Sequence, residues 1–453
     1  MKLKKLILTL GLCSITANVS ALDLKEALER AKQYDTTFQA AYAAYLAASE
    51  AANLTTAPVL PQVGLSAFAQ RGKTENDRSG VTTKSDNNRD GYSLNVNQVI
   101  FDKTKFDNMH QGDALVAKAA ADLEVAKQDT ILRVTSAYFD VLAAMDTLET
   151  STAEKKAIGK QLEQSKERFK VGLSAITDVK EQQASYDVAV ANEIIAINDL
   201  SNKREALQVI INMYPEHLEV VSDDIPLAIP EPLDIEAWQN MSLQGNYSLL
   251  SAKYSVDAAE YAYKSSKGGH YPTLSLSASY DVVNSDERTF SGAFTLPANE
   301  NTDKTLLLSL NVPLYQGGFV SSTVRQKFSE LDRAKALHEQ ERRRTMALAR
   351  SAFLSVKSDI ATVKARKQAL ISTQASLDAT MAGYDAGTRT SVDVLLAQRL
   401  LYSSQRDYYL ARYTYLTDSL RLKQVAGSLS ESDIDKINEW LQPDDKPEQT
   451  IMP

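Results

Sequence analysis

The chain has 453 residues, of which 58 are acidic and 50 basic, giving a formal charge of −8, and it carries a single cysteine. An acidic balance argues against a nucleic-acid partner, and one cysteine excludes a disulfide framework. Beyond the N-terminal segment no run of 18 apolar residues occurs, which excludes a transmembrane helix.

The N-terminus reads as a secretory signal. Lys2, Lys4 and Lys5 precede an apolar stretch from Leu6 to Leu12, and Val19-Ser20-Ala21 offers a small-residue cleavage site. The apolar stretch is too short to span a bilayer. Leu12 is too large for the small residue that precedes a lipidated cysteine, so Cys13 is not read as an anchor. Cleavage after Ala21 removes the cysteine, three lysines and no acids, so the formal charge of −8 becomes −11. An exported, cysteine-free chain fits a bacterial envelope. It is either soluble in the periplasm or crosses the outer membrane as β-strands.

From Leu22 onward one pattern runs twice. An Ala-rich helix is predicted over 24–56 and again over 235–268. Two strands with a polar loop between them follow, at about 60–70 and 92–101, then at about 272–282 and 304–315. A very long helix occupies 102–170 and again 318–386. A short break leads to a further helix, 175–213 and 390–426. The repeats are 22–213 and 243–426, joined by 214–242 and followed by a tail, 427–453, expected to be loosely ordered from residue 428. Laying the chain on itself at an offset of 215 places Ser136-Ala137-Tyr138 on Ser351-Ala352-Phe353. It also pairs Phe169 with Tyr384, Gly172 with Gly387, Asp178-Val179 with Asp393-Val394 and Gln183 with Gln398. An offset this steady points to internal duplication.

The strands alternate apolar with small polar residues. Leu274, Leu276, Ala278 and Tyr280 interleave with Thr273, Ser275, Ser277 and Ser279; Leu306, Leu308, Leu310, Val312 and Leu314 repeat the pattern. In the first half Val63, Leu65, Ala67 and Ala69, then Leu94, Val96 and Ile100, do the same. Outer-membrane barrels alternate in this way, and so do soluble sandwiches with one wet face. Two hairpins cannot close a barrel, and an open edge cannot face lipid. A membrane reading therefore requires several chains to share one barrel. The long helices favour it: 102–170 and 319–386 contain no proline, and such a helix extends roughly 100 Å. That length suits a tube spanning a compartment. Leucines are not sustained at coiled-coil core positions, which disfavours a plain two-stranded coiled coil.

Both breaks carry a glycine where a helix ends in a left-handed residue, Gly172 and Gly387. Thr390 with Asp393 three residues on makes a capping-box-like helix start. For Asp178 and Asp393, capping and a functional role are both open. Enzymatic chemistry is not expected. His110, His217, His270 and His338 are scattered without metal-ligand spacing, and no nucleophile–base motif or phosphate loop occurs. No cofactor or metal is expected.

With these halves, and with FKVGLSAITDV and YDAGTRTSVDV at the breaks, the chain resembles the TolC family of trimeric outer-membrane channels. YFDVLAAMDTL, NVPLYQGG and SLDATMAGYDAGTRTSVDVL carry the likeness, which covers Leu22 to about Gly427. The resemblance implies a mainly α fold with a membrane β-barrel: a homotrimer whose 12-stranded barrel, four strands per chain, is continuous with an α-helical periplasmic tunnel. Segments 214–242 and 427–453 are implied to form an equatorial belt. Implied partners are outer-membrane lipid, a periplasmic adaptor and an inner-membrane transporter, in tripartite efflux and type I protein secretion.

The resemblance also assigns roles at the breaks. Tyr384 and Arg389 are implied to tie one helix pair to Asp178 on the other, with Thr177, Gln161 and Glu167 as further members of the gate network. Asp393 is implied to form an acidic ring in the pore. Gly172, Leu173, Gly387 and Thr388 match the grooves where adaptor hairpins dock. Two positions depart from the family pattern. Leu396 stands where a second aspartate makes a second ring, so one acidic ring is expected and tight block by multivalent cations is not. Met381 stands where a glutamate pairs with Gln161, so that latch is expected to be absent. The competing reading is a structural or adhesive envelope coiled coil.

Overall fold

The computed structural model describes residues 21–78, 81–222, 225–290 and 294–443. The signal segment before Ala21 and the end of the tail, 444–453, lie outside the described residues. In chain order the elements are α1 (Leu24–Tyr34), α2 (Thr36–Thr56), β1 (Gln62–Gln70), β2 (Lys73–Arg78), β3 (Val81–Asp86), β4 (Arg89–Phe101), α3 (Lys103–Lys170) and α4 (Ile176–Ile211). After β5 (Val220–Val221) the order repeats: α5 (Ile235–Gly245), α6 (Tyr247–Gly268), β6 (Thr273–Ser285), β7 (Arg288–Phe290), β8 (Phe294–Leu296), β9 (Asn299–Asn311), α7 (Phe319–Asp385) and α8 (Ser391–Val425). The chain closes with α9 (Glu431–Asn438) and β10 (Leu441–Gln442).

Three expectations are corrected. The opening helix of each half is broken, at Asp35 and at Asn246. Both residues are extended, and their side chains accept from Thr37 N at 3.1 Å and Leu249 N at 3.0 Å, so each starts a new helix. The polar loops between the strands are themselves hairpins, β2 paired with β3 and β7 with β8. The tail up to residue 443 is ordered: α9 buries Ile434 and Ile437, Lys423 pairs with Asp433 at 2.6 Å, and β10 pairs with β5.

β1, β4, β6 and β9 form one antiparallel sheet in the order β1-β4-β6-β9, joining the halves through β4 and β6. Its register puts Val63, Val96, Ala278 and Leu306 in one row and Leu65, Leu94 and Tyr280 in another. Gly64, Asn95, Ser279 and Thr305 align on the opposite face. One face is thus apolar and fully exposed along β9; the other is mostly polar. β1 and β9 each leave one edge unpaired within the chain.

Below the sheet α3, of 68 residues, and α7, of 67, run roughly 100 Å each at ~1.5 Å per residue. Among the described residues no helix is long and apolar enough to cross a membrane. α3 packs on α4 and α6, α7 on α8, and the two pairs meet through α3 and α8. The main core lies midway along the helices. Val134, Tyr138, Phe139 and Leu142 of α3 meet Tyr413, Leu416 and Leu420 of α8, with α1 and α9 wrapped around them. The Tyr138 hydroxyl bonds the carbonyls of Leu22 (2.9 Å) and Glu219 (2.8 Å), pinning the start of the chain and the 214–222 segment to α3.

One carboxylate here, Asp359, is pH-sensitive. Burial, with the Asp418 carboxylate beside it, pushes Asp359 up to about 6. Its folded value lies above the ordinary one, so the ionised form carries a penalty that is full above pH 6 and relieved as pH falls through 6 toward 4. The melting temperature of the native chain is expected to gain over Asp359→Asn as pH drops from 7.5 to 5. Parallel melting curves for both across that range would refute the assignment.

Candidate gate at the helical tip

The far end of the helices is built twice from one turn. Helix α3 ends in a Schellman motif: Gly172 N donates to Phe169 O at 3.0 Å and Leu173 N to Arg168 O at 2.8 Å. Helix α7 repeats it, with Gly387 N donating to Tyr384 O at 3.0 Å and Thr388 N to Gly383 O at 2.8 Å. Gly172 (φ +74°) and Gly387 (φ +78°) are left-handed, as the motif requires. Nothing lies within 4 Å of where a Cβ would stand on either. Leu173 and Thr388 beside them are exposed, so the turns present an open, partly apolar surface.

The next helices start on aspartates 215 residues apart in sequence. Asp393 accepts from Thr390 N and Thr390 Oγ1, both at 2.9 Å, while Asp393 N donates to Thr390 Oγ1 at 3.2 Å, a complete capping box. In the other half Ala175 occupies the cap position without a hydroxyl. Ser174 substitutes, donating to Asp178 at 2.8 Å, with Ala175 N at 3.4 Å. Both aspartates therefore cap helices, whatever else they do. The bonds from Thr390, aided by the nearby Arg389 charge, hold the Asp393 carboxyl below its usual range, so it stays ionised near neutral pH.

The other site residues fall as follows. Tyr384 is not bonded to Asp178; its ring lies under the Arg168 guanidinium, 4.6 Å from the centroid, and packs beside Leu377 and Val394. That contact joins the last turn of α3 to the last turn of α7. Arg389 and Thr177 are exposed, and neither makes a side-chain bond or ion pair among the described residues. Glu167 pairs with Lys170 at 2.6 Å on its own helix. Gln161 is buried, and its Nε2 has no hydrogen-bond partner among the described residues. Met381 is 44% and Leu396 58% exposed. Within one chain, then, Asp178, Tyr384 and Arg389 share a tip but not a bond. Arg168 was not singled out from sequence, because a cationic residue in a helix's last turn is commonplace.

The comparisons agree with this architecture. The model of the outer membrane efflux protein family matches residues 27–213 and 238–428, one segment per half. The chain is 35% identical over 445 residues to the outer membrane protein TolC of Escherichia coli (strain K12), covering 97% of this chain and 89% of that one. To the outer membrane protein TolC of Vibrio cholerae it is 35% identical over 441 residues, covering 97% and 98%. The alkaline protease secretion protein AprF of Pseudomonas aeruginosa is 28% identical over 426 residues, covering 92% and 87%. Among solved structures, CusC superposes with a TM-score of 0.76 at 16% identity, over 89% of this chain and 92% of that one. The outer membrane protein VceC of Vibrio cholerae superposes at 0.74 with 19% identity, over 89% and 96%. These two show the fold. With the family model matched over both halves and 35% identity across 97% of its length, the chain belongs to the outer membrane efflux protein family.

Proposed function

We propose that this chain is the outer-membrane exit duct of tripartite efflux and type I protein secretion systems, gated at its helical tip. The carrying observation is the sheet: four long strands with one exposed apolar face and two open edges, running directly into helices of roughly 100 Å. Open edges cannot face lipid, so further copies complete the barrel, and three copies give the 12 strands of the related channels. Its length is that of a periplasmic tunnel. Residues 214–242 and 427–443, wrapped around the main core, form the belt. The name of the AprF relative supports the secretion role.

At the tip, Asp178, Thr177, Glu167, Gln161, Tyr384 and Arg389 hold the end closed. The unpaired Arg389 reaches Asp178 of a neighbouring copy. Gly172, Leu173, Gly387 and Thr388 form the adaptor groove, whose openness supports docking of a helical hairpin. Adaptor and inner-membrane transporter are the partners. Asp393, ionised in each of three copies, makes a cation-favouring ring, with exposed Leu396 one turn further along α8.

Reconstitution in planar bilayers tests the duct. Heat-resistant trimers extracted from outer membranes should give discrete cation-selective steps, and Leu396→Asp should tighten block by multivalent cations at least about tenfold. A chain that never conducts is an adhesive or structural coiled coil instead; block that Leu396→Asp leaves unchanged removes Asp393 from the pore.

A further inference from the structure

Near the tip the two helix pairs meet across a seam with almost no apolar core. Within the second pair, α7 and α8 hold each other through Leu377, Val394 and Leu401. Near the tip, between α8 and the α3/α4 pair, Ile158, Ala189 and Leu395 close together among the described residues, with Tyr186 at the edge. One or two turns away on the same faces the residues are polar yet buried. Gln161 is 6% and Ser165 1% exposed on α3, Gln182 0% on α4, and Gln398 5% on α8.

Bonds across the seam fix which faces meet. Gln182 Nε2 donates to the Ser391 carbonyl at 3.3 Å, Arg399 donates to Ser185 Oγ at 3.4 Å, and the Tyr402 hydroxyl donates to the Ala153 carbonyl at 3.3 Å. Gln398 stands between Leu395 and Tyr402 on that face of α8. Gln161 Nε2, Ser165 Oγ, Gln182 Oε1 and Gln398 Oε1 are all buried without a hydrogen-bond partner among the described residues. A buried polar atom without a partner disfavours the state that buries it, and four along one short seam are uncommon in a native fold. Further from the tip the same helices meet through Tyr138, Leu142 and Leu416 instead.

We infer that Ser165, Gln182 and Gln398 are positioning residues of a release seam, beside Gln161 of the gate network. It rests on the reading of the tip as a gate and adds three residues to that network. Gln182 holds the first turn of α8 on α4 by one long bond. The unpartnered atoms of Ser165, Gln182 and Gln398 bias the seam toward parting, because separation gives each of them water. The seam thus opposes the surface latch and lets a docked partner shift the end with little work. Apolar residues of equal size at Gln182 and Gln398 remove that bias and lock the pairs together.

Hydrogen exchange on the full-length channel in detergent tests this. Amides of 391–398 are expected to exchange faster than those of 413–420. Gln182→Met with Gln398→Met should slow the former by at least about tenfold, and Gln398→Met alone should give part of that slowing. In bilayers the paired Met substitutions, added to Arg389→Ala with Tyr384→Phe, should return conductance toward the closed value. Exchange at 391–398 that stays at its native rate in both Met variants overturns the seam. If Arg389→Ala with Tyr384→Phe itself leaves conductance unchanged, the gate reading fails, while exchange still decides the seam.

Discussion

Arg389→Ala combined with Tyr384→Phe is expected to raise single-channel conductance several-fold. Arg389 is exposed, and among the described residues its side chain has no bond or ion pair in its own chain. Among the described residues Asp178 accepts from Ser174 and Ala175, which leaves a carboxylate with acceptor sites to spare. In the proposed latch, a charge-assisted bond between the two from copy to copy would contribute about 1–3 kcal/mol per chain. Three such bonds would hold a closed end and still yield to a partner. The structure divides the latch further. Tyr384→Phe keeps the ring under Arg168 and removes only the hydroxyl, whereas Arg168→Ala removes the stacking partner. If Arg168→Ala alone opens the channel and the Arg389 double variant does not, the tip is held by the contact within each chain and the copy-to-copy latch is discarded.

Gly427→Ala is expected to destabilise the chain by at least about 3 kcal/mol, seen as a large fall in melting temperature or loss of trimers from the membrane. Gly427 has φ +72°, and a Cβ there would stand 1.9 Å from the Gly245 carbonyl oxygen. The contact is backbone against backbone, where the end of α8 crosses the end of α5. Asn246 Nδ2 donates to Val425 O at 3.0 Å in the same crossing. Neither side can rotate away, so the two helix ends must separate there. Gly387→Ala is the control. Its φ of +78° is equally left-handed, but nothing lies within 4 Å of the added carbon. It should cost only the conformational strain, about 1–2 kcal/mol. Equal losses for the two would show that backbone conformation alone, and not the crossing, sets the effect at Gly427.

Much of the architecture is local and therefore legible. A proline-free run fixes a long helix, and period-two alternation fixes a strand and its apolar face. A glycine followed six residues later by a capping aspartate fixes the break between two helices. These depend on neighbours a few residues away, so Gly172, Gly387, Asp178 and Asp393 stand where their spacing puts them. The two helix breaks at Asp35 and Asn246 are also local, but each is one capping residue inside an Ala-rich stretch, a weak signal against strong helix propensity. The tail helix α9 was illegible because its apolar content, Ile434 and Ile437, is small and gains meaning only against the α1 and α8 surfaces it meets.

The sequence by itself determined the duplication, the lengths of the helices, the faces of the strands and the chemistry of the two tip turns. All of these follow from backbone preference and periodicity. Only the tertiary structure decided what each tip side chain touches. It placed Tyr384 under Arg168 and not on Asp178, turned Asp178 onto Ser174, and buried Gln182 and Gln398 between helix pairs more than 200 residues apart in sequence. Which polar group loses its water, and which partner it finds, depends on how distant faces meet, and no local pattern encodes that.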